Sequence, residues 1–213
     1  MKYKNILFDL DGTMIDSQPG ITRSAQYALK KFNIIVEDLE ELVPFIGPPL
    51  KNSFMKFYGF SEQDALQAVK YYREYFADHG VFANTLYPGI EDLLRRLHAE
   101  GRKLFVATAK PTVYTEQIID EYKLRHLFTY VCGANLDGTR TDKSEIIKTV
   151  IDEAKIGLEG TVMIGDRKYD IIGAHNNKMD SIAVGYGFGS KEELMATKPT
   201  QYIRTVKDLY AAL

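Results

Sequence analysis

Four short apolar runs constrain the fold of this chain more than any other feature: Asn5-Ile6-Leu7-Phe8, Leu104-Phe105-Val106-Ala107, Thr161-Val162-Met163-Ile164 and Ser181-Ile182-Ala183-Val184. Each is too short for a helix and lacks a polar face, as strands do when a sheet is covered on both sides. Tyr130-Val131-Cys132 reads as a fifth strand and Gln201-Tyr202-Ile203 as a weaker sixth. Helical spacing fills the gaps. Ile90 to Leu97 repeats its apolar residues at that spacing and stops before Gly101. Tyr114 to Tyr122 does the same, and so does Lys143 to Ala154, with Ile146, Ile147, Val150 and Ile151 on one side. Strand and helix in alternation predict an α/β fold with a parallel sheet between two helical layers. In such folds function gathers at the carboxyl ends of the strands.

One region breaks the alternation. From about Asp16 to Leu86 no strand is expected, and the residues read as helices near Ile21–Phe32, Leu50–Tyr58 and Ala65–Ala77. Ser61, with Glu62 and Asp64 after it, has the pattern of a helix start. Phe54, Phe57, Tyr58, Tyr71, Tyr72, Tyr75 and Phe76 read as the core of a small bundle rather than a binding stripe. The expected division is therefore a core of residues 1–15 and 87–213 and a helical insert of residues 16–86. The insert follows the first strand directly and ends at Tyr87-Pro88-Gly89, a placement that suits a cap hinged near Asp16-Ser17 and Leu86-Tyr87-Pro88.

With 213 residues the chain is long enough for a core domain plus an insertion. A net charge of -2 gives no basic surface for a nucleic acid polymer. Only three apolar residues separate Asn5 from Asp9, too few for a signal peptide or a membrane span. The single cysteine, Cys132, allows no internal disulfide and fits a reducing cytoplasm. It lies in a strand pattern and reads as an inert buried thiol. The expectation is a cytoplasmic protein, monomeric or a small homo-oligomer, acting on a small molecule.

Chemistry-bearing residues stand at four of the element ends. Asp9-Leu10-Asp11-Gly12-Thr13 follows the first strand, and alternation of faces points Asp9 and Asp11 the same way. Two carboxylates so placed need a cation between them or a shared proton. Thr108 stands at the end of the second strand, followed by Ala109-Lys110-Pro111, and Lys143 opens a helix. Met163-Ile164-Gly165 then leads to Asp166 and Asp170, four residues apart and on one face if the chain turns helical there. Taken singly, each has a bland reading: a solvated lysine, a strand-end hydroxyl, acids favoured by a helix dipole. None of these explains the four together. Lys110, Arg167, Lys168 and Tyr169 read as local structure, and the four histidines have no metal-ligand spacing.

The ordered set, spanning essentially the whole chain, resembles the haloacid dehalogenase superfamily and specifically its phosphatases. The resemblance implies a Rossmann-like core with an inserted small α-helical cap, Mg²⁺ as cofactor, and hydrolysis of a phosphate monoester through an aspartyl-phosphate. Asp9 would be nucleophile and metal ligand, Asp166 a second ligand, and Asp170 a support for the metal, directly or through water. Asp11 would offer its main-chain carbonyl to the metal and its carboxyl as general acid and base. Dehalogenases and phosphonatases lack an acid there, so its presence favours phosphate monoesters. Thr108 and Lys143 would hold the phosphoryl group, with main-chain N–H groups around Leu10 and Ala109 as further donors.

Three further stretches resemble the branch of phosphoglycolate phosphatases and 5′-nucleotidases. Phe45-Ile46-Gly47-Pro48-Pro49-Leu50 resembles a cap loop facing substrate, with Phe45, Ile46 and Gly47 as candidate contacts. Gly133 to Arg140 leads to Lys143. Gly185-Tyr186-Gly187-Phe188-Gly189-Ser190 reads as a flexible turn before a helix, with Ser190 and Glu193 at capping-box spacing. Two alternatives stay open: a β-phosphoglucomutase-like phosphotransferase, or a silent binding protein of the same fold.

Overall fold

The computed structural model describes residues 2–213. They cluster into two compact units, Met1–Asp16 with Leu86–Leu213, and Ser17–Thr85.

The first unit is built on a six-stranded sheet. Its strands are β1 (Asn5–Phe8), β4 (Lys103–Pro111), β5 (Phe128–Ala134), β6 (Thr161–Gly165), β7 (Asp180–Val184) and β8 (Gln201–Ile203), in the order β5-β4-β1-β6-β7-β8 and parallel throughout. Ile6, Leu7 and Phe8 are all fully buried, so both faces of β1 are covered, as its unbroken apolar run requires. Leu7, Phe105, Ala107, Cys132 and Met163 share one cluster with Ile146, Ile147 and Val150 of α6 (Lys143–Ala154) and with Ala174 of α7 (Lys168–Asn176). Burying each of the larger side chains is worth roughly 1.5–3 kcal/mol. The remaining helices of the unit are α4 (Ile90–Ala99), α5 (Thr112–Glu121), α8 (Lys191–Ala196) and α9 (Val206–Ala212).

Register places the site. Phe8 stands level with Val106 on one side and Ile164 on the other. The residues that follow these three positions therefore lie side by side along the carboxyl edge of the sheet. Successive strands run outward from β1 to β4 and β5, then from β6 to β8 on its other flank. The carboxyl edge beside β1 is thus the topological switch point, where an open α/β sheet forms its crevice.

The second unit is contiguous in sequence and helical. It holds α1 (Gln18–Lys30), a 3-10 turn at Leu39–Phe45, α2 (Leu50–Tyr58) and α3 (Glu62–Tyr75), followed by a short π-helical turn at Phe76–Gly80. Its core is aromatic: Phe45, Phe54, Tyr72 and Phe76 are buried, and the Phe45 and Phe54 rings meet edge-on at 4.9 Å. Ser61 caps α3 by accepting the N–H of Asp64. Two-residue strands β2 (Ile15–Asp16) and β3 (Thr85–Leu86) pair where the chain passes between the units.

Several expected bounds move. α1 begins three residues earlier than Ile21, because Pro19 suits the first turn of a helix and needs no N–H partner there. α3 begins at Glu62, capped by Ser61 as that pattern predicts, so its apolar repeat from Ala65 starts one turn inside the helix. β4 does not end at Ala107. It runs on to Pro111 with a register shift against β5, so Thr108 lies within the strand. Gly133 of β5 permits this, since a Cβ there would collide with the Lys110 carbonyl.

Candidate active site

Asp9 leaves β1 with its main-chain N–H still bonded to the Ile164 carbonyl at 2.9 Å. Its Oδ1 accepts the N–H of Leu10 at 2.7 Å and lies 3.0 Å from Lys143 Nζ. Lys143 comes from the first turn of α6, where Asp142 caps the helix by accepting the N–H of Ser144. The buried ammonium also sits 2.8 Å from Asp170 Oδ1 and donates to the Ala107 carbonyl at 3.0 Å. One cation thus joins α6, β4, the end of β1 and α7. Gly173 leaves room for it, since a Cβ there would press on the Lys143 stem at 3.0 Å. Burial alone would lower the Lys143 pKa, but the carboxylates of Asp170 and Asp9 outweigh it and keep the ammonium charged.

Asp166 and Asp170 do not face each other along one helix. Asp166 follows β6 outside any helix, and Asp170 lies in the first turn of α7, after extended Arg167. The bend brings them together all the same. Asp9, Asp166 and Asp170 each offer a carboxylate oxygen within 4.8 Å of the others. Asp170 Oδ2 accepts the N–H of Arg167. Burial, then Asp170 and Asp9, push the Asp166 carboxyl well above its ordinary range. Burial pushes Asp170 up to about 7 against the pull of Lys143. Lys143 pairs with two of these three buried carboxylates, Asp9 and Asp170, and Asp170 Oδ1 receives no aligned hydrogen bond among the described residues. Such an all-oxygen set, short of positive charge, fits a hard divalent cation. Gly12, at φ +77°, is part of the cradle, because a Cβ there would collide with the Asp166 carboxylate.

Asp11 stands outside this group. Its carboxylate lies 3.2 Å from Lys110 Nζ, in a largely buried pair. The crowding expected of Asp9 and Asp11 is therefore relieved by two separate lysines, Lys143 and Lys110. Lys110, read from the sequence as local structure, instead reaches the site through the extension of β4. Thr108 is buried and its Oγ1 accepts the N–H of Lys110 at 3.3 Å; Ala109 beside it is partly exposed. Leu10 is buried, and its N–H is turned onto Asp9. Phe45 and Ile46 are buried within the helical unit, so only Gly47 of that trio has exposed surface.

The Gly185–Ser190 stretch, read from the sequence as a flexible turn before a helix, reaches the site as well. The N–H of Phe188 donates to Asp166 Oδ2 at 2.8 Å. Ser190 accepts the N–H of Glu193, but the Glu193 carboxylate turns to Arg167 and to the N–H of Lys168, so the capping box is half made. The repeated glycines were the available signal. Arg167 and Lys168 serve local structure as expected. Cys132 is a buried thiol whose pKa is raised by burial.

The sequence profile of the haloacid dehalogenase-like hydrolases matches residues 6–184. A 5′-nucleotidase of Pseudomonas aeruginosa is 46% identical over 202 residues, covering 95% of this chain and 91% of that protein. The tyrosine-protein kinase PtkA of Mycobacterium tuberculosis is 31% identical, covering 98% of this chain and 72% of that protein. The crystal structure of a predicted phosphatase from Clostridium acetobutylicum superposes with a TM-score of 0.96 at 46% identity, over 100% of this chain and 98% of that one.

Proposed function

The chain belongs to the haloacid dehalogenase-like hydrolase family and is a phosphatase, and we propose that it hydrolyses nucleoside 5′-monophosphates through a phosphoryl group carried on Asp9. The observation that carries this reading is the meeting of Asp9 with Lys143 at the end of β1, beside a second acid, Asp11, with a lysine of its own. The 46% identity to a 5′-nucleotidase supports the nucleotide over phosphoglycolate.

Uncatalysed hydrolysis of a phosphate monoester leaves up to ~10²¹-fold for an enzyme to supply. A carboxylate nucleophile divides that barrier into two smaller ones. Asp9 attacks phosphorus as the bond to the leaving oxygen breaks. Asp11 gives that oxygen a proton. Asp11 then takes a proton from the water that attacks the aspartyl-phosphate, and Asp9 is released with inorganic phosphate. Lys143 offsets the charge on Asp9 and on the equatorial oxygens, while the buried Thr108 hydroxyl and the Ala109 N–H orient them. Mg²⁺, held by Asp9, Asp166, Asp170 and the Asp11 carbonyl, would supply the positive charge that lets a carboxylate meet a phosphate dianion. The Ser17–Thr85 unit takes the part of the cap domain. No helix among the described residues is long and apolar enough to cross a membrane. A cytoplasmic site of action belongs to the same reading, supported by the single reduced cysteine.

The experiment is an acid quench of the purified protein during turnover of nucleoside 5′-[³²P]monophosphate with Mg²⁺, followed by peptide mapping. Label on the peptide containing Asp9, with stoichiometric release of inorganic phosphate, is expected. Turnover surviving in Asp9→Asn would sink the mechanism. Label passed to a sugar or a tyrosine instead of water would sink the assignment as a hydrolase.

A further inference from the structure

The Gly185–Gly189 loop and the turn at Thr13 meet on Asp166. The Phe188 N–H donates to Asp166 Oδ2 at 2.8 Å, and the Thr13 hydroxyl donates to Oδ1 at 3.3 Å. Both oxygens of one fully buried carboxylate are thus held, each from a different stretch of chain. Tyr186 ties the two stretches together. Its hydroxyl donates to the Thr13 carbonyl at 2.9 Å, and its ring meets Tyr87 edge-on at 5.1 Å. Gly187 and Gly189 are needed for room, not for backbone freedom, since neither has a positive φ. A Cβ on residue 187 would collide with the Gly12 carbonyl and stand 2.5 Å from Asp166 Cβ, and one on residue 189 would collide with the Asp166 carbonyl.

We infer that this loop is the positioning element for Asp166, with the Phe188 N–H fixing the carboxylate and Tyr186 holding the loop to the Asp9–Thr13 turn. The inference rests on the metal-dependent reading above. Groups that orient a metal-binding carboxylate typically alter metal affinity 10–100-fold when disturbed, because an unaimed ligand must be ordered as the ion binds. The loop touches Asp166 through the Phe188 main chain and through the room that Gly187 and Gly189 leave.

The test is Mg²⁺ binding to the purified whole protein, followed by calorimetry and by the Mg²⁺-induced rise in the unfolding midpoint. Gly187→Ala is expected to weaken Mg²⁺ binding about 10–100-fold with an unchanged circular dichroism spectrum. Tyr186→Phe, which removes one hydroxyl, is expected to weaken it several-fold. Ser190→Ala is the control: it loosens the start of α8 without touching Asp166, and should lower stability while Mg²⁺ affinity holds. Wild-type affinity in both Gly187→Ala and Tyr186→Phe would overturn the inference while leaving the metal site standing. If Gly187→Ala does not fold, Tyr186→Phe decides by the same measure. Equal Mg²⁺ binding by the wild type and Asp166→Asn would overturn the metal site itself, and the inference with it.

Discussion

Lys110 Nζ lies 3.2 Å from Asp11 Oδ1, so the second acid of the site has a lysine distinct from the one that serves the first. Asp9 and Asp11 are two residues apart, yet each meets its own ammonium from a different element, α6 for one and β4 for the other. The charges that chain connectivity crowds together are separated by tertiary structure.

Lys110→Met should lower kcat about 10-fold on nucleoside monophosphates, a fraction of the 10²–10⁴-fold that general acid catalysis supplies. The side chain is kept long so that packing changes little. Steady-state assays with a folded variant check this, and an unchanged kcat would remove Lys110 from the acid's support.

Asp11→Asn should cost about 10²–10⁴-fold in kcat where the leaving group is an alkyl alcohol. The loss should be much smaller with para-nitrophenyl phosphate, whose leaving group needs no proton. The comparison of the two substrates is the measurement; equal losses on both would contradict the role given to Asp11.

Lys143→Met should destabilise the metal-free protein by about 3–5 kcal/mol, the usual cost of stranding one side of a buried ion pair. Two carboxylates, Asp9 and Asp170, lose the same partner. The loss should be larger at pH 8 than at pH 5, where protonation can relieve the stranded acids, and Mg²⁺ should restore part of it. Urea unfolding at both pH values, with and without Mg²⁺, reports all three.

Removing the metal should leave a signature in stability against pH. Asp170 is raised to about 7 and Asp166 well above its ordinary range. The unfolded chain releases the corresponding protons near pH 4. Between about pH 4 and 7 the folded, metal-free protein therefore holds more protons than the unfolded chain, and the slope of unfolding free energy with pH is negative. The contribution is fully present below the unfolded value and is lost as pH rises through the folded ones. Saturating Mg²⁺ displaces those protons and should flatten that slope. Thermal midpoints from pH 5 to 8 in EDTA and in Mg²⁺ check the difference, and parallel curves would count against it.

The apolar runs of β1, β6 and β7 were legible because each strand is buried on both faces and leaves an unbroken signal in sequence. α6 was legible for its opposite quality, a single apolar side with a capped start. Elements with weaker signals were not. The continuation of β4 past Ala107 depends on Gly133 in a neighbouring strand, and no local pattern announces it. Asp166 and Asp170 converge through a bend before α7 rather than along the helix face that their spacing suggested. Lys110 and the Gly185–Gly189 loop act through contacts with residues about a hundred or more positions away, or through main-chain atoms that carry no residue-type signal.

The sheet order has a consequence for how this protein comes off the ribosome. β1 sits between β4 and β6, whose residues follow it by roughly a hundred and a hundred and fifty positions. At about 5–20 residues per second, the strand that leads into Asp9 waits on the order of 5–20 seconds for its nearer neighbour to be translated. The helical unit from Ser17 to Thr85 is completed within that interval and can form from its own local contacts. An apolar strand with both edges unpaired is meanwhile a hazard for misassociation. Nascent chains halted before Lys103 should accordingly depend on chaperones far more than chains released after Gly165.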